Sequence, residues 1–307
     1  MAHIIGVDTG NKSIKTVNCH FAAGLKSFNN KPPLMNEWLL YNNKYYIPTN
    51  DRVAYLEDKT QSEEYFILTL IAISKEIKAR NFEVAKFEDI VLAVGLPPSH
   101  IGRLGDSFVK YFKKGFVNYE YNGEKFSINL KNILLFPQAY SAIIPDFEKY
   151  RDIKKSYIID IGGYTTDVIL LNNGQPDLTF CESLDFGMIH LFNNIKRKIK
   201  LEYGSIPDEM QIDNTLETGE EIFGNMSKII EEEADFYIDK LFRTLVEMGI
   251  DLKLSHSIFM GGGSLRLKRF IEKSSIIGKK DFIKNINANA VGYELLAKKI
   301  CNKQGVA

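Results

Sequence analysis

The chain has 307 residues, 45% of them hydrophobic and 25% charged, a globular composition that excludes a wholly disordered chain. Lysine plus arginine number 39 and aspartate plus glutamate also 39, so there is no net basic field to hold nucleic acid through its phosphates. The length predicts two domains at roughly 100–200 residues each.

The N-terminal Met1-Ala2-His3 runs straight into an apolar strand, without the pattern of a secretory signal. The most apolar helical stretch, residues 66–74, is far shorter than the roughly 20 residues a bilayer requires, so the expected location is cytoplasmic, with no membrane partner. Cys19, Cys181 and Cys301 lie far apart, and neither they nor the five histidines show zinc-ligand spacing.

In chain order, residues 3–8 and 14–21 read as two strands joined by the turn Asp8-Thr9-Gly10-Asn11-Lys12. Residues 37–47 read as a hairpin around Asn42-Asn43, and 61–80 as an amphipathic helix through Phe66, Leu70, Ile73 and Ile77. Residues 90–94 form a buried-type strand that ends at Gly95-Leu96-Pro97-Pro98. A helix over 101–114 and a hairpin over 116–130, turning at Asn122-Gly123, come next. A strand over 133–136 leads to Pro137-Gln138, which is expected to open a helix, and the polar segment 146–155 reads as a domain junction. A second round then starts: strand 157–161, the turn Gly162-Gly163-Tyr164-Thr165, a returning strand 168–171 and a turn at Asn172-Asn173-Gly174. Helices follow at 188–199 and 227–248, a strand at 257–260, the run Gly261-Gly262-Gly263, a helix from Ser264 and a last helix over 288–301. An apolar strand ending in Asp-x-Gly thus occurs twice, at Asp8 and Asp160, 152 residues apart, which predicts a duplicated fold.

Three segments carry candidate chemistry. A tight Asp8-Thr9-Gly10-Asn11 turn presents backbone N–H groups in an arc suited to phosphate oxygens. Lys15, or Lys12 at the turn tip, can add a point charge, and Asp8 can hold a hydrated Mg²⁺. In the second turn Gly162 and Gly163 permit close approach of a ligand. The hydroxyls of Thr165 and its neighbour can bond phosphate, and Asp160 ends a buried-type strand where an acid needs a metal, water or phosphate to justify it. At Gly261-Gly262-Gly263-Ser264, glycines leave room for a flat base or ribose. The spacing is neither GxGxxG nor a P-loop. Asp185-Phe186-Gly187 lacks the companions of a kinase and reads as a strand-to-helix turn near ribose or phosphate. The runs Lys196-Arg197-Lys198 (with Lys200) and Glu231-Glu232-Glu233 read as solvated helix faces, with an adenine-side or partner-binding patch as the alternative for the first and a subunit contact for the second.

The order of these three segments resembles the actin-like ATPase superfamily, and within it the ParM/StbA group of plasmid-segregation proteins. Asp8-x-Gly10 with Lys15, the stretch Ile159 to Val168, and Val94-Gly95-Leu96-Pro97 carry the resemblance, which spans nearly the whole chain but only in outline over 23–60 and 200–226. The resemblance implies an α/β fold: two related ribonuclease H-like domains with a nucleotide cleft between them. Domain I would cover 1–152 with the last helix, 288–307, packed back on it, and domain II 153–287. It implies ATP, with GTP as the alternative, and Mg²⁺ held through waters by Asp8 and Asp160. Asp8, Thr9, Gly10, Asn11, Lys15, Gly162, Gly163, Tyr164, Thr165, Gly187, Gly261, Gly262, Gly263 and Ser264 would contact the nucleotide. Asp160 would act in catalysis, and Gln138 would take the family's water-orienting position. It further implies self-assembly into filaments and a DNA-binding adaptor at a centromere-like plasmid site, with no direct nucleic-acid contact. A small-molecule kinase of the same superfamily and a cell-shape actin homologue are the alternatives.

Overall fold

The structure, a computed structural model, describes residues 2–33, 35–51, 56–82 and 88–304; Met1 and the end of the expected 288–307 segment lie outside the described residues. The chain divides into two units, Met1–Asp146 with Asn287–Ala307, and Phe147–Ile286.

The first unit contains β1 (His3–Thr9), β2 (Ser13–Lys15), β3 (His20–Ala22), β4 (Gly24–Phe28), β5 (Leu39–Tyr41) and β6 (Lys44–Thr49). A 3-10 turn at Lys59–Gln61 precedes α1 (Glu64–Ala79), β7 (Glu88–Leu96), α2 (Pro98–Phe112), β8 (Gly115–Tyr121), β9 (Glu124–Pro137) and a 3-10 turn at Ser141–Asp146. The second unit contains α3 (Phe147–Tyr150), β10 (Lys155–Ile161), β11 (Thr166–Asn172), β12 (Gln175–Leu184), α4 (Met188–Tyr203), α5 (Glu209–Thr218) and α6 (Met226–Glu247). It continues with β13 (His256–Met260), α7 (Gly261–Arg266), α8 (Lys268–Lys273) and β14 (Lys279–Phe282), after which α9 (Ala288–Gln304) belongs again to the first unit.

The duplication is visible in the sheets. The first has the order β3-β2-β1-β7-β9-β8-β5-β6-β4, and the second β12-β11-β10-β13-β14. In each, the opening strand pairs antiparallel with its hairpin partner and parallel with the strand on its other side (β1 with β2 and β7, β10 with β11 and β13). A further parallel strand follows, β9 or β14. Asp8 and Asp160 therefore occupy the same place, the C-terminal end of the opening strand. Each sheet packs on its own apolar cluster, one built around Ile5, Tyr65, Phe66 and Phe108, the other around Ile159, Phe192, Phe242 and Phe259.

Asparagine turns locate the hairpins where their chemistry predicts. Asn42, Asn43, Asn122 and Asn173 all take positive φ, which this side chain tolerates. Several segments differ from expectation. The strand expected over 14–21 stops at Lys15, because Thr16 N–H closes a turn on Cys19 O at 2.8 Å. The Thr16 hydroxyl and the Asn18 backbone and side-chain amides all donate to the buried Glu76 carboxylate, which draws the segment off the ladder. Helix α1 is not amphipathic: residues 65–74 are buried on every side. Tyr41 and Tyr111 pack on Phe66, and the Tyr119 hydroxyl reaches Ser74. Its buried hydroxyls are satisfied locally, Thr69 on Tyr65 O and Ser74 on Leu70 O. Residues 133–136 are the end of the 14-residue strand β9 rather than a separate strand. The charged runs stay largely solvated, as expected: Arg197, Lys198 and Glu232 are exposed, and of the six residues only Glu233 is buried. Lys198 pairs with Glu233, which is buried, and Arg269 pairs with Glu231 at 2.7 Å, so the chain itself supplies their partners.

Candidate functional site

Each unit carries candidate site residues at the end of its opening strand. In the first unit, the Asp8–Lys15 and Thr9–Ile14 pairings close the hairpin and bring the Lys15 ammonium within 3.4 Å of Asp8 Oδ2. Asp8 is nearly fully buried, whereas Lys15 keeps 19% of its side chain exposed. A positive charge is thereby held at the mouth of the loop, with its counter-ion beneath it. Asp8 Oδ1 accepts a hydrogen bond from Gln138 Nε2 at 3.0 Å. The structure thus assembles Asp8, Lys15 and Gln138. Lys12 accepts the Ala23 N–H with its carbonyl at 3.1 Å.

Gln138 does not open a helix. Its N–H extends the β7–β9 pairing to Leu96 O at 2.9 Å, and its carbonyl accepts Tyr140 N–H at 2.7 Å. The helical turns begin only at Ser141. From the end of β9 its side chain reaches past β7 to the end of β1.

The loop itself is braced from the segment before α1. Buried Lys59 donates to Thr9 O, and its ammonium lies 5.2 Å from the centre of the Tyr65 ring. The Tyr65 hydroxyl donates to Asn11 Oδ1 at 2.8 Å. Neither residue was visible as part of the site in the sequence, since Lys59 lies 50 residues from its acceptor in a polar stretch with no motif. Thr9 is fully buried, and its carbonyl is taken by Lys59.

In the second unit, Asp160 faces Asp167 across the β10–β11 ladder, and Asp167 accepts the Ser183 hydroxyl at 2.5 Å. The turn between them closes through Gly162 N–H to Thr165 O at 2.9 Å. The carbonyls of Gly162 and Gly163 accept the first amides of α4, from Met188 at 3.1 Å and Ile189 at 2.9 Å. That seats the loop on the helix. Gly187, the residue before α4, must be glycine because a β-carbon there would lie 2.1 Å from the backbone of Tyr164.

The glycine triplet meets the Asp160 loop within the second unit. The helix expected from Ser264 begins three residues earlier, and the triplet forms its first turn. Gly261 has φ +83°, and a β-carbon on it would sit 2.2 Å from Asp160 Oδ1. The acid of the loop and the triplet are thus in direct contact. Gly263 packs against Ile161, and Ser264 is buried with its hydroxyl on Gly261 O at 2.9 Å, so its side chain turns inward. Gly262 is different: a β-carbon there would meet only the tip of the Arg266 guanidinium, at 2.9 Å. Arg266, paired with Asp213 at 2.5 Å, borders this edge. Among the described residues no group of three or more histidine, cysteine or acidic side chains could by itself hold a metal ion, and no helix is long and apolar enough to cross a membrane.

Comparison with known proteins gives the arrangement a family. Residues 44–140 match the N-terminal domain of actin-like proteins, and residues 158–273 match the C-terminal domain of the archaeal MreB-like actin homologue. No curated protein matches the chain. Among solved structures, an archaeal actin homolog is similar over 97% of this chain and 99% of its own, with a TM-score of 0.77 at 17% identity. Subunits of a 15-stranded ParM filament from Clostridium botulinum give a TM-score of 0.76 at 20% identity, over 97% and 100% of the two chains. The apo ParM of psk41 gives 0.72 at 18% identity, over 98% of both. With two actin-like domain models matched in chain order and the duplicated sheet, the chain has the two-domain actin-like fold seen in ParM and the archaeal actin homologue.

Proposed function

We propose that the chain is an ATP-hydrolysing, filament-forming actin-like protein that segregates plasmid DNA, with hydrolysis setting the lifetime of the polymer. The observation that carries this reading is the meeting of Asp8, Lys15 and Gln138 at one hairpin. Lys15 and the backbone of Gly10 and Asn11 would hold phosphate. Gly162, Gly163 and Thr165 would do the same from the second unit, with Gly187 and Tyr164 keeping that loop in place. Gly261 and Gly262 would border the base and ribose.

Asp8 and Asp160 are single carboxylates, a donor set suited to Mg²⁺ that keeps its waters. When bound, that ion would neutralise phosphate charge. The Gln138 amide is neutral and is held in place by Asp8. It would align a water by hydrogen bonding rather than remove its proton, so rate enhancement would come from positioning. The solved relatives support self-assembly: they include a ParM filament and an AlfA filament bound to AMPPNP, and an archaeal actin homolog in complex with ADP supports a nucleotide site. The balanced charge favours DNA attachment through an adaptor rather than by direct contact. ATP is the proposed nucleotide, GTP the alternative.

The test is pelleting and electron microscopy with Mg²⁺ and ATP, GTP, ADP or no nucleotide, together with turnover against protein concentration. Filaments with ATP, and turnover rising more than linearly with concentration, are expected, since assembly and the ATP state are linked. Flat light scattering with turnover dependent on an added acceptor would replace the reading by a small-molecule kinase. The MreB-like match over 158–273 favours one second reading, a cell-shape filament. Deleting the gene distinguishes the two: plasmid loss supports segregation, altered cell shape the alternative.

A further inference from the structure

The backbone that carries Gln138 adopts a conformation its own residues disfavour. Tyr140 N–H donates to Gln138 O at 2.7 Å, and Ala139 between them has φ 62°. This is a γ-turn of the rare, strained hand. Every other non-glycine residue with positive φ among the described residues is an asparagine: Asn42, Asn43, Asn81, Asn122 and Asn173. Asparagine tolerates this region because its short polar side chain bonds locally. Ala139 has no such side chain, and at 1% exposure it has no water to steady it.

Its amide is held from elsewhere. Ala139 N–H donates to Asn289 Oδ1 at 2.9 Å, across 150 residues of sequence. Asn289 is itself buried, in the first turn of α9. Close backbone contacts on either side hold that turn in place. A β-carbon on Gly6 would lie 2.2 Å from Ala290 O, and one on Gly292 would lie 1.8 Å from Ser141 O. The first contact presses α9 onto β1, two residues before Asp8. The second presses it onto the turn that follows Ala139. Asn289 therefore spans the two segments whose side chains meet, the end of β1 and the end of β9.

We propose that Asn289 is a positioning residue: by holding the Ala139 amide it maintains the γ-turn and so aims Gln138 at Asp8. The inference rests on the reading that Gln138 aligns the attacking water. If Asn289 served only to pack α9, its loss would lower stability and leave kcat unchanged.

The test uses the full chain and three readouts: kcat for ATP, affinity for a fluorescent ATP analogue, and hydrogen exchange at the Ala139 amide without nucleotide. Asn289→Ala is expected to lower kcat by about 10- to 100-fold, the cost of a misplaced catalytic group, with nucleotide affinity unchanged. Ala139 exchange should accelerate by about 10-fold or more as its bond is lost. Asn289→Asp keeps an acceptor oxygen at the same reach and should retain most of kcat. Ala139→Gly added to Asn289→Ala should restore kcat, because glycine takes positive φ without steric cost. In a Gln138→Ala background, Asn289→Ala should lower kcat no further. Should Asn289→Ala fail to fold, the pair Asn289→Leu, which keeps the bulk and has no acceptor, and Asn289→Asp, which keeps one, decides the question on the same readouts. Unchanged kcat and slow Ala139 exchange in the variant that lacks the acceptor would overturn the inference alone, as would a kcat loss additive with Gln138→Ala. Wild-type turnover in Gln138→Ala would overturn the reading of Gln138 and the inference with it.

Discussion

Asp8 and Gln138, 130 residues apart in sequence, meet through a 3.0 Å hydrogen bond from the Gln138 amide to the Asp8 carboxylate. The Lys15 ammonium lies 3.4 Å from the other carboxylate oxygen, so one buried acid orients both a neutral donor and a cation.

Gln138→Ala removes the donor while leaving the loop and Lys15 in place. Hydrolysis should fall by about 100-fold, within the range for a lost positioning group, with ATP affinity retained. Because assembly and the ATP state are linked, filaments of this variant should form and persist longer than those of wild type. Phosphate release measured alongside light scattering checks both halves; rapid disassembly would contradict the linkage.

Lys15→Met keeps the aliphatic stem and removes the charge, leaving Asp8 buried with only Gln138 as partner. Loss of a hydrogen-bonded charge partner should destabilise the first unit by about 1–3 kcal/mol. It should also lower ATP affinity by about 10-fold or more, the equivalent of one charge-assisted contact. Chemical denaturation and nucleotide titration measure the two effects; a variant that binds ATP normally would remove Lys15 from the phosphate site.

The glycines of the triplet should respond differently. At Gly261 an alanine would meet Asp160 Oδ1 at 2.2 Å and adopt a positive φ, so Gly261→Ala should lose about 1–2 kcal/mol from backbone strain alone and displace the acid. At Gly262 the added atom meets only the flexible end of Arg266. Gly262→Ala should fold normally, and Gly262→Val should weaken nucleotide binding by filling the edge proposed for base or ribose. Thermal melts and titrations of the three variants check the order; equal destabilisation at 261 and 262 would contradict it.

Glu76 predicts a pH dependence. Burial pushes its carboxyl up, but hydrogen bonds from the Thr16 hydroxyl and the Asn18 amide, together with the Arg80 guanidinium, outweigh burial and hold it below the ordinary value. A carboxyl whose folded pKa is depressed stabilises the fold fully above the unfolded value, about 4.3, and loses that stabilisation as pH falls through the folded value. Wild-type protein should therefore lose stability below roughly pH 4. Glu76→Gln should be less stable at neutral pH, by about 3 kcal/mol for a broken buried pair, but show a shallower decline in acid. Denaturant melts across that pH range measure both slopes, and parallel slopes would contradict the assignment.

What the sequence by itself determined lies within short windows. The turns at Asn42-Asn43, Asn122-Gly123 and Asn173-Gly174, the end of β1 at Asp8 and the end of β10 at Asp160 follow from backbone preferences of adjacent residues. The order of the glycine-rich segments supplied the superfamily, and the shared strand order of the two sheets agrees with the Asp-x-Gly echo. A further local signal lies at Asp208 and Gln211, which form a reciprocal capping box at the start of α5. What only the tertiary structure decided is long-range. The burial of α1 on all sides depends on tyrosines from three other elements, which no period within the helix encodes. The bonds from Lys59 to Thr9, Gln138 to Asp8 and Ala139 to Asn289 span 50, 130 and 150 residues. Each joins side chain or backbone groups whose separation in sequence has no regular spacing. They meet because β1 and β9 flank β7 in one sheet and the start of α9 packs on β1, where Asp8, Ala139 and Asn289 are buried and so must find partners within the fold.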